Sequence, residues 1–287
     1  MLNWNNTMED SNLVLIVDED PETIRILGQA LSPPWQIQTA AGSEEAASAL
    51  RDRSPCVAVV NLDLPGMGGM NLLWLLRQVR PRTRMIVLTA ESSSSDVIRA
   101  IREHVFGYFS KPLAVQAVVE MIAQAAAAAH WEDGIEVLSA RPGWISLRLR
   151  CRQLTADRLL QFFRELKMDV SEQERDDVAT AFREMLLNAI EHGGHYDPNQ
   201  MVRVSYYRLT NAVVYLIQDP GEGFSFSALP QAAVSNPADA PAAHLQYRSE
   251  HGLRAGGFGI LFARKLVDEV IHNEEGNEVI LVKYLTA

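Results

Sequence analysis

Cysteine is scarce in this sequence, and the few thiols present do not form a metal-binding motif. The chain of 287 residues contains two cysteines, Cys56 and Cys151. Neither has a second cysteine or a histidine at the spacing typical of a zinc site. Both lie in segments that we predict to be strands. We therefore expect reduced thiols that pack in the core.

Long apolar runs and an excess of positive charge are also lacking. No run approaches the roughly 20 apolar residues needed to cross a bilayer, and the polar, acidic start of the chain is unlike a signal peptide. A formal net charge of −10 disfavours broad contact with a nucleic-acid backbone. We expect a cytoplasmic protein that neither inserts into membranes nor binds nucleic acid directly.

The composition is that of a globular protein with more than one core. Hydrophobic residues make up 47% of the chain and charged residues 22%. At roughly 100 to 200 residues per domain, this length suits two domains. We place the first at residues 11–129 and the second at residues 130–287, separated by the end of an alanine-rich helix near residue 130.

Short apolar runs alternate with amphipathic segments in the first domain, which is typical of a parallel sheet covered by helices. The predicted strands are residues 13–17, 35–39, 57–60, 85–88 and 107–109. This pattern predicts a doubly wound α/β fold with five parallel strands, whose ligands gather at the carboxyl ends of the strands. The residues that follow strand ends here are Asp18, Glu19, Asn61, Thr89 and Lys111.

Four blocks in this domain, VDEDPE, NLDLPGMGG, LTA and YFSKPL, resemble those of a response-regulator receiver domain. The resemblance implies a Mg²⁺ site at Asp18 and Glu19. It also implies that Thr89 is the switch hydroxyl, Tyr108 the switch aromatic and Lys111 the phosphate-contacting lysine.

The phosphoacceptor position of that family falls on Asn61, four residues before Pro65. A carboxamide is not nucleophilic, so Asn61 cannot form an acyl phosphate as an aspartate does. Asp63 is an alternative acceptor on the same side of an extended strand, and Asn61 is either the natural residue or an introduced one. We favour a pseudo-receiver whose surface serves docking or dimerisation.

The second domain is organised around the stretch AFREMLLNAIEHG, residues 181–193. Apolar residues recur at three- and four-residue steps and predict an amphipathic helix. Glu184 and Asn188 are four residues apart, which places a carboxylate and a carboxamide on one face. The pair is either a solvated helix face or part of a site for a metal ion with bound phosphates.

Two further motifs follow this helix. Asp219 comes at the end of an apolar strand and is followed by Gly221 and Gly223, so it is either a plain turn or a carboxylate placed to accept from an adenine amine. The sequence AGGFG, residues 255–259, precedes a helix, where free backbone N–H groups bind phosphate. Residues 225–254 are too long for an ordinary connection and predict a lid.

The order of these motifs resembles the GHKL (Bergerat) ATP-binding fold, an α+β sandwich, and most closely the anti-sigma-factor serine/threonine kinases. The resemblance implies ATP and Mg²⁺ as cofactors, with Glu184 as general base. It implies Mg²⁺ ligation by Asn188, adenine binding by Asp219, Gly221 and Gly223, and phosphate binding by Gly257 and Gly259.

Sensor histidine kinases share this fold but require a phosphoacceptor histidine on a helical hairpin, and no such segment precedes the second domain. We therefore expect a kinase that phosphorylates serine or threonine on an anti-sigma-factor antagonist, with a sigma factor as a possible second partner and a homodimeric state. The alternative is a nucleotide-binding switch that sequesters its partner without transferring phosphate.

Overall fold

The structure is a computed structural model, which describes residues 9–128, 134–166, 168–223, 243–250 and 258–285. The chain divides into two compact units, Met1–Asp133 and Gly134–Ala287.

The first unit is an α/β domain with a parallel sheet. Its five strands are ordered β2-β1-β3-β4-β5, and every neighbouring pair is parallel. This architecture confirms the predicted fold class. The strands are β1 (Glu9–Val17), β2 (Gln36–Ala40), β3 (Ser54–Asn61), β4 (Arg84–Thr89) and β5 (Gly107–Ser110). The helices are α1 (Pro21–Ala30), α2 (Ser43–Asp52), α3 (Gly69–Val79), α4 (Ser94–Arg102) and α5 (Val115–Ala127).

The central strands of this sheet are largely apolar and buried because helices cover both faces. Every residue of β3 is buried, and residues 13–17 of β1 have no exposed surface. Parallel pairing brings the carboxyl ends of the strands to one edge: Val17 pairs with Val60, Asn61 with Leu88 and Thr89 with Ser110. The residues at and after these ends form the edge that we call the receiver rim.

The second unit is an antiparallel sheet with helices packed against it. Its six strands are ordered β10-β11-β9-β8-β7-β6. The strands are β6 (Ile135–Arg141), β7 (Trp144–Arg150), β8 (Met201–Arg208), β9 (Ala212–Gln218), β10 (Glu269–His272) and β11 (Glu278–Tyr284). The helices are α6 (Gln153–Arg164), α7 (Glu172–Asn188), a π-helical turn (Ala189–Gly193), α8 (Ala243–Glu250) and α9 (Gly259–Leu266).

Four aromatic rings join the helices to the sheet in the core of this unit. Phe163 of α6 and Phe182 of α7 contact each other at 5.3 Å between ring centroids, and Tyr215 of β9 lies 4.9 Å from Phe182. Tyr206 of β8 completes the cluster. Rings at these separations contribute about 0.5–1.5 kcal/mol per pair beyond the burial of their area. The cluster fixes how α7 lies on the sheet.

Several local predictions can be compared with the structure. Ser171 and Glu174 have the three-residue spacing of a capping box in the sequence, and the structure confirms this capping box at the start of α7. The residue type of Thr155 predicts that it opens the preceding helix, but this is wrong, because α6 begins at Gln153 with Arg152 as its N-cap. Thr155 is instead buried in the first turn of α6, and its side chain lies where it would meet a Cβ atom added at Gly134.

Among the described residues, no helix is both long enough and apolar enough to cross a membrane.

Candidate functional site

Helix α7 carries the two polar residues on which the predicted site depends. Its apolar stripe is buried as predicted, with Val178, Phe182 and Met185 no more than 3% exposed. Glu184 and Asn188 are each only half-buried on the same helix. Because the stripe and the capping box hold the helix in place, the two polar groups are presented on a rigid element.

The start of α9 lies directly against these two groups. A Cβ atom added to Gly259 would lie 3.0 Å from Glu184 Oε2 and 3.3 Å from Asn188 Nδ2. A side chain at position 259 would crowd both polar groups. The structure therefore brings Gly259 against Glu184 and Asn188, which lie some 70 residues earlier in the sequence.

This arrangement fits a magnesium-bound phosphate chain. The N-terminus of α9 carries free backbone N–H groups and the positive end of the helix dipole, which attract phosphate. Asn188 offers the kind of oxygen ligand that Mg²⁺ prefers, and the absent side chain at Gly259 leaves a cradle beside it. Gly257, the other predicted phosphate-binding glycine, lies outside the described residues, as do Arg254 and most of the predicted lid.

At the C-terminal end of α7, directly after Asn188, the chain changes from an α-helix to a π-helical turn. Gly194 N donates to Ala189 O at 2.9 Å, and Tyr196 N donates to Ile190 O at 3.0 Å. The sequence predicted a simple helix through Gly193, so the π-helical turn was missed. The wider turn matters because it carries Gly193 and Gly194 against two strand ends of the sheet.

Each of these two glycines makes room for one side chain. A Cβ at Gly193 would lie 2.2 Å from Asp219 Oδ1, and a Cβ at Gly194 would lie 2.2 Å from Cys151 Sγ. Both distances are far below any real carbon contact, so only glycine fits. The Gly193–Asp219 contact holds the predicted adenine-binding carboxylate against the π-helical turn that follows α7. In the sequence, only the glycines themselves indicate this contact.

The loop after β9 holds Asp219 by its own backbone. Gly221 N donates to Asp219 Oδ1 at 2.8 Å, and Gly223 adopts a positive φ of 80° that favours glycine. Burial raises the pKa of Asp219, and the hydrogen bond from Gly221 opposes that shift. A half-buried carboxylate with one backbone donor is a suitable acceptor for an amine on an apolar ring.

Cys151 follows strand β7 and lies against Gly194. Its thiol is fully buried, and burial together with Asp197 and Asp219 raises its pKa to about 11. Cys56 is also a buried free thiol. The expectation of two reduced packing cysteines is confirmed.

The receiver rim shows a different arrangement. Lys111 Nζ lies 2.9 Å from Asp18 Oδ2, and Asn61 Nδ2 donates to Asp18 Oδ1 at 3.2 Å. Asp20 N donates to the same oxygen at 3.0 Å. Asp18 has no exposed surface and Asn61 is 3% exposed. Lys111 and Asn61 thus pair with the aspartate from within the protein, but the hydrogen bonds are to Oδ1, and the buried Asp18 Oδ2 accepts none from the described residues.

Asp63 closes the rim on its other side. Ala90 N donates to Asp63 Oδ2 at 2.6 Å, and the Thr89 hydroxyl lies 3.3 Å from the same oxygen. Asp63 N donates to Asn61 Oδ1 at 3.1 Å. The Asp63 carboxylate is thus held by the backbone N–H of Ala90 and lies beside the Thr89 hydroxyl at the end of β4.

In this arrangement the polar side chains of the receiver rim bond mainly to one another. Asn61 presents N–H hydrogens to Asp18 where a metal site needs an oxygen ligand. Glu19 is exposed beside the buried Asp18, and Tyr108 is buried within β5. Over the described parts of both units, no three His, Cys, Asp or Glu side chains are grouped to hold a metal ion. The Mg²⁺ site at Asp18 and Glu19 stays a prediction.

Comparison with known proteins agrees with this two-part architecture. Residues 14–123 match the family model described as the response regulator receiver domain. Residues 147–283 match the family model described as the histidine kinase-like ATPase domain.

Curated proteins and solved structures give further similarities. The chain is 33% identical over 107 residues to "Probable transcriptional regulatory protein TcrX" of Mycobacterium tuberculosis, covering 37% of this chain and 46% of that protein. It is 30% identical over 129 residues to transcriptional regulatory protein GlrR of Escherichia coli, covering 42% of this chain and 29% of that protein. The chain thus spans less than half the length of either relative.

Among solved structures, the signal receiver domain of an HD domain-containing protein from Pseudomonas fluorescens is 30% identical, with a TM-score of 0.40. That similarity covers 42% of this chain and 98% of that chain. Taken with the parallel and antiparallel sheets described above, the two family matches show that the chain joins a response regulator receiver domain to a histidine kinase-like ATPase domain.

Proposed function

We propose that the chain is a signalling regulator that binds Mg-ATP in its second domain and phosphorylates serine or threonine on a partner protein. The observation that supports this proposal best is the meeting of three separate segments along α7. Gly259 packs against Glu184 and Asn188, and Asp219 packs against Gly193. Glu184 and Gly193 are nine residues apart, so the α-helical rise of about 1.5 Å per residue gives an upper value of roughly 13 Å, because the last residues form a π-helical turn.

A ligand that spans this distance needs two chemically different ends. Near Asp219 the surroundings are glycine backbone and a buried thiol, which suit a flat base with an amine. Near Gly259 they are a helix N-terminus, a carboxamide and a carboxylate, which suit a charged phosphate chain with its metal. ATP combines these properties in one molecule.

The proposed reaction assigns a task to each residue. Asp219 accepts a hydrogen bond from the adenine amine, and the glycines at the start of α9 bind phosphate with their N–H groups. Asn188 would hold Mg²⁺, which neutralises charge on the phosphates when it is bound. Glu184 orients the partner's hydroxyl and takes its proton as the oxygen–phosphorus bond forms and ADP leaves.

The proposed partner is an anti-sigma-factor antagonist, with a sigma factor as a second partner of a homodimeric protein. The similarity of the second domain's motifs to anti-sigma-factor kinases motivates this choice. Within the first domain, we propose that the receiver rim acts without an acyl phosphate at position 61. Asn61 has no nucleophilic oxygen, and its side chain is hydrogen-bonded to Asp18 and to the backbone of Asp63.

Labelling with γ-phosphate-labelled ATP tests the kinase proposal. We expect transfer of label to serine or threonine of an antagonist protein by the native chain. Glu184→Gln should retain ATP binding while transfer falls by about 10²–10⁴-fold, the usual contribution of a general base. Gly28→Ala is a suitable control, because a Cβ at Gly28 meets no atom within 4 Å.

One observation favours the second candidate, a nucleotide-binding switch that sequesters its partner without transfer. Position 61 carries an asparagine, which cannot form an acyl phosphate, within an otherwise complete receiver fold. Tight ATP binding with no label transferred to any antagonist would establish the switch and exclude the kinase.

A further inference from the structure

The turn between β10 and β11 lies beside the loop that carries Asp219. Because β11 is antiparallel to β9 and Glu278 pairs with Gln218, the residues before β11 are adjacent to the residues after β9. Asp219 N donates to Asn277 O at 2.9 Å. A Cβ at Gly223 would lie 1.8 Å from Glu275 O, so the loop and the turn are in contact backbone to backbone.

Asn273 organises this turn with its side chain. Its Oδ1 accepts from the backbone N–H groups of Gly276, Asn277 and Glu278, at 2.8, 3.1 and 3.1 Å. Its Nδ2 donates to Asn277 Oδ1 at 2.7 Å. One carboxamide thus fixes the backbone of the turn and also the orientation of the second carboxamide, at Asn277.

The Asn277 side chain connects the turn to the loop that carries Asp219. With Oδ1 held by Asn273, its Nδ2 points at the loop and donates to Gly221 O at 3.4 Å. Gly221 N in turn donates to Asp219 Oδ1 at 2.8 Å. The result is a continuous chain of hydrogen bonds from Asn273 through Asn277 and Gly221 to the Asp219 carboxylate.

We propose that Asn277, held by Asn273, is a positioning residue that sets the Asp219 carboxylate for recognition of a 6-amino purine. The inference rests on the proposed function in assigning the ligand of Asp219. It goes further in placing base specificity partly in a surface turn remote in sequence from the nucleotide-binding motifs. A carboxylate discriminates between bases only where its oxygen is held within hydrogen-bond distance of the amine.

The test compares ATP with purine riboside triphosphate, which lacks the 6-amino group, by equilibrium binding to the full chain. In Asn277→Ala we expect ATP affinity to fall about threefold to tenfold, the loss of one hydrogen bond's contribution. Affinity for the analogue should change less than about twofold, because it makes no amine contact with Asp219. Equal losses for both ligands, or no loss for either, would overturn the proposal.

Two further variants separate this inference from the proposed function. Asn211→Ala is the matched control: Asn211 is an exposed asparagine at the opposite end of β9, and its replacement should leave both affinities unchanged. Asp219→Asn should abolish discrimination between ATP and the analogue. If Asp219→Asn keeps the discrimination, the assignment of adenine to Asp219 fails, whatever Asn277 does.

Amide hydrogen exchange provides a readout that does not depend on any nucleotide. Gly221 N is the donor that joins the loop to Asp219, so its exchange rate reports the last step of the hydrogen-bond chain. Asn277→Ala should raise exchange at Gly221 by about threefold or more, and Asn211→Ala should not. Unchanged exchange at Gly221 would contradict a positioning role even if no ATP binding were detected.

Discussion

The receiver rim and the ATPase site both place acids and amides at strand or helix ends, but they treat these groups in opposite ways. At the receiver rim, Lys111 and Asn61 pair with Asp18, and Asp63 accepts a hydrogen bond from the N–H of Ala90. At the ATPase site, Gly193 and Gly259 keep side chains away from Asp219, Glu184 and Asn188.

This difference shows how the same residue types can either complete a fold or leave room for a ligand. Buried polar groups need hydrogen-bond partners, and at the receiver rim other side chains provide several of them. At the ATPase site, a backbone donor and glycines lie against the polar side chains instead. We therefore place the proposed nucleotide site in the second domain.

Filling the space at Gly193 should have the largest effect. Gly193→Ala places a Cβ where Asp219 Oδ1 now lies, at 2.2 Å, and must displace the carboxylate or unwind the π-helical turn. We expect ATP affinity to fall by at least about tenfold, equivalent to 1.4 kcal/mol. Isothermal titration calorimetry measures the change.

Gly28→Ala provides the matched control for this substitution. Gly28 lies within helix α1 and has no atom within 4 Å of its Cβ position. Alanine there should leave ATP affinity unchanged and stabilise the receiver domain by about 0.5–1 kcal/mol through helix propensity. An equal loss of ATP binding in the two variants would show that the absence of a side chain at Gly193 does not determine ATP affinity.

Restoring a carboxylate to the receiver rim should have the next largest effect. Asn61→Asp replaces the N–H that donates to Asp18 with an anion about 3 Å from another carboxylate, leaving Lys111 to offset both. We expect a loss of about 1–3 kcal/mol of stability, typical of a broken buried hydrogen bond, and partial recovery with Mg²⁺. Urea unfolding with and without Mg²⁺ measures both.

The same variant tests the pseudo-receiver proposal with acetyl phosphate as donor. Failure of Asn61→Asp to become labelled would support a rim adapted to work without phosphorylation. Strong labelling, together with unimpaired stability in the absence of Mg²⁺, would instead indicate that Asn61 replaces an aspartate in an otherwise functional receiver.

A smaller effect should appear in the acid stability of the two domains. Burial and Arg264 lower the pKa of His272 in β10 to about 4, so the folded ATPase domain keeps it neutral while the unfolded chain takes up a proton near pH 6.5. Stability is therefore lost as pH falls from about 6.5 toward 4. His272→Gln should reduce this acid loss in Tm by about 2 °C.

The receiver domain should respond to acid in a lower pH range. Hydrogen bonds from Thr23 and Glu22 hold the pKa of Asp20 below 3.8, so its contribution is present above that value and lost only below it. Hydrogen exchange followed separately in the two domains between pH 7 and pH 4 would reveal the difference. Parallel loss in both domains, unaffected by His272→Gln, would contradict it.

Most of the receiver fold could be predicted from the sequence, because its strands are short apolar runs and its rim residues follow them directly. The apolar stripe of α7 and the capping box at Ser171 were predictable for the same reason: each depends on residues close together in the chain. Strands β8 and β10 were not predicted, and Thr155 was misplaced as a cap because Arg152 is the N-cap of α6 instead.

The geometry of the ATPase site was less accessible to sequence reasoning. The π-helical turn, the Gly193–Asp219 contact and the turn held by Asn273 all arise from tertiary contacts between segments distant in sequence. A glycine pair such as Gly193-Gly194 indicates only that something approaches closely. The motif residues identified the segments, and the fold determines which atoms meet.

Calorimetric titration of Mg-ATP into the full chain measures whether Asp219 and Asn188 belong to one nucleotide site. We expect one ATP per chain, at least about tenfold weaker binding in Asp219→Asn and in Asn188→Ala, and affinity within about twofold of the native value in Asn61→Asp. Native affinity in both Asp219→Asn and Asn188→Ala, or loss of ATP binding in Asn61→Asp alone, would contradict this assignment.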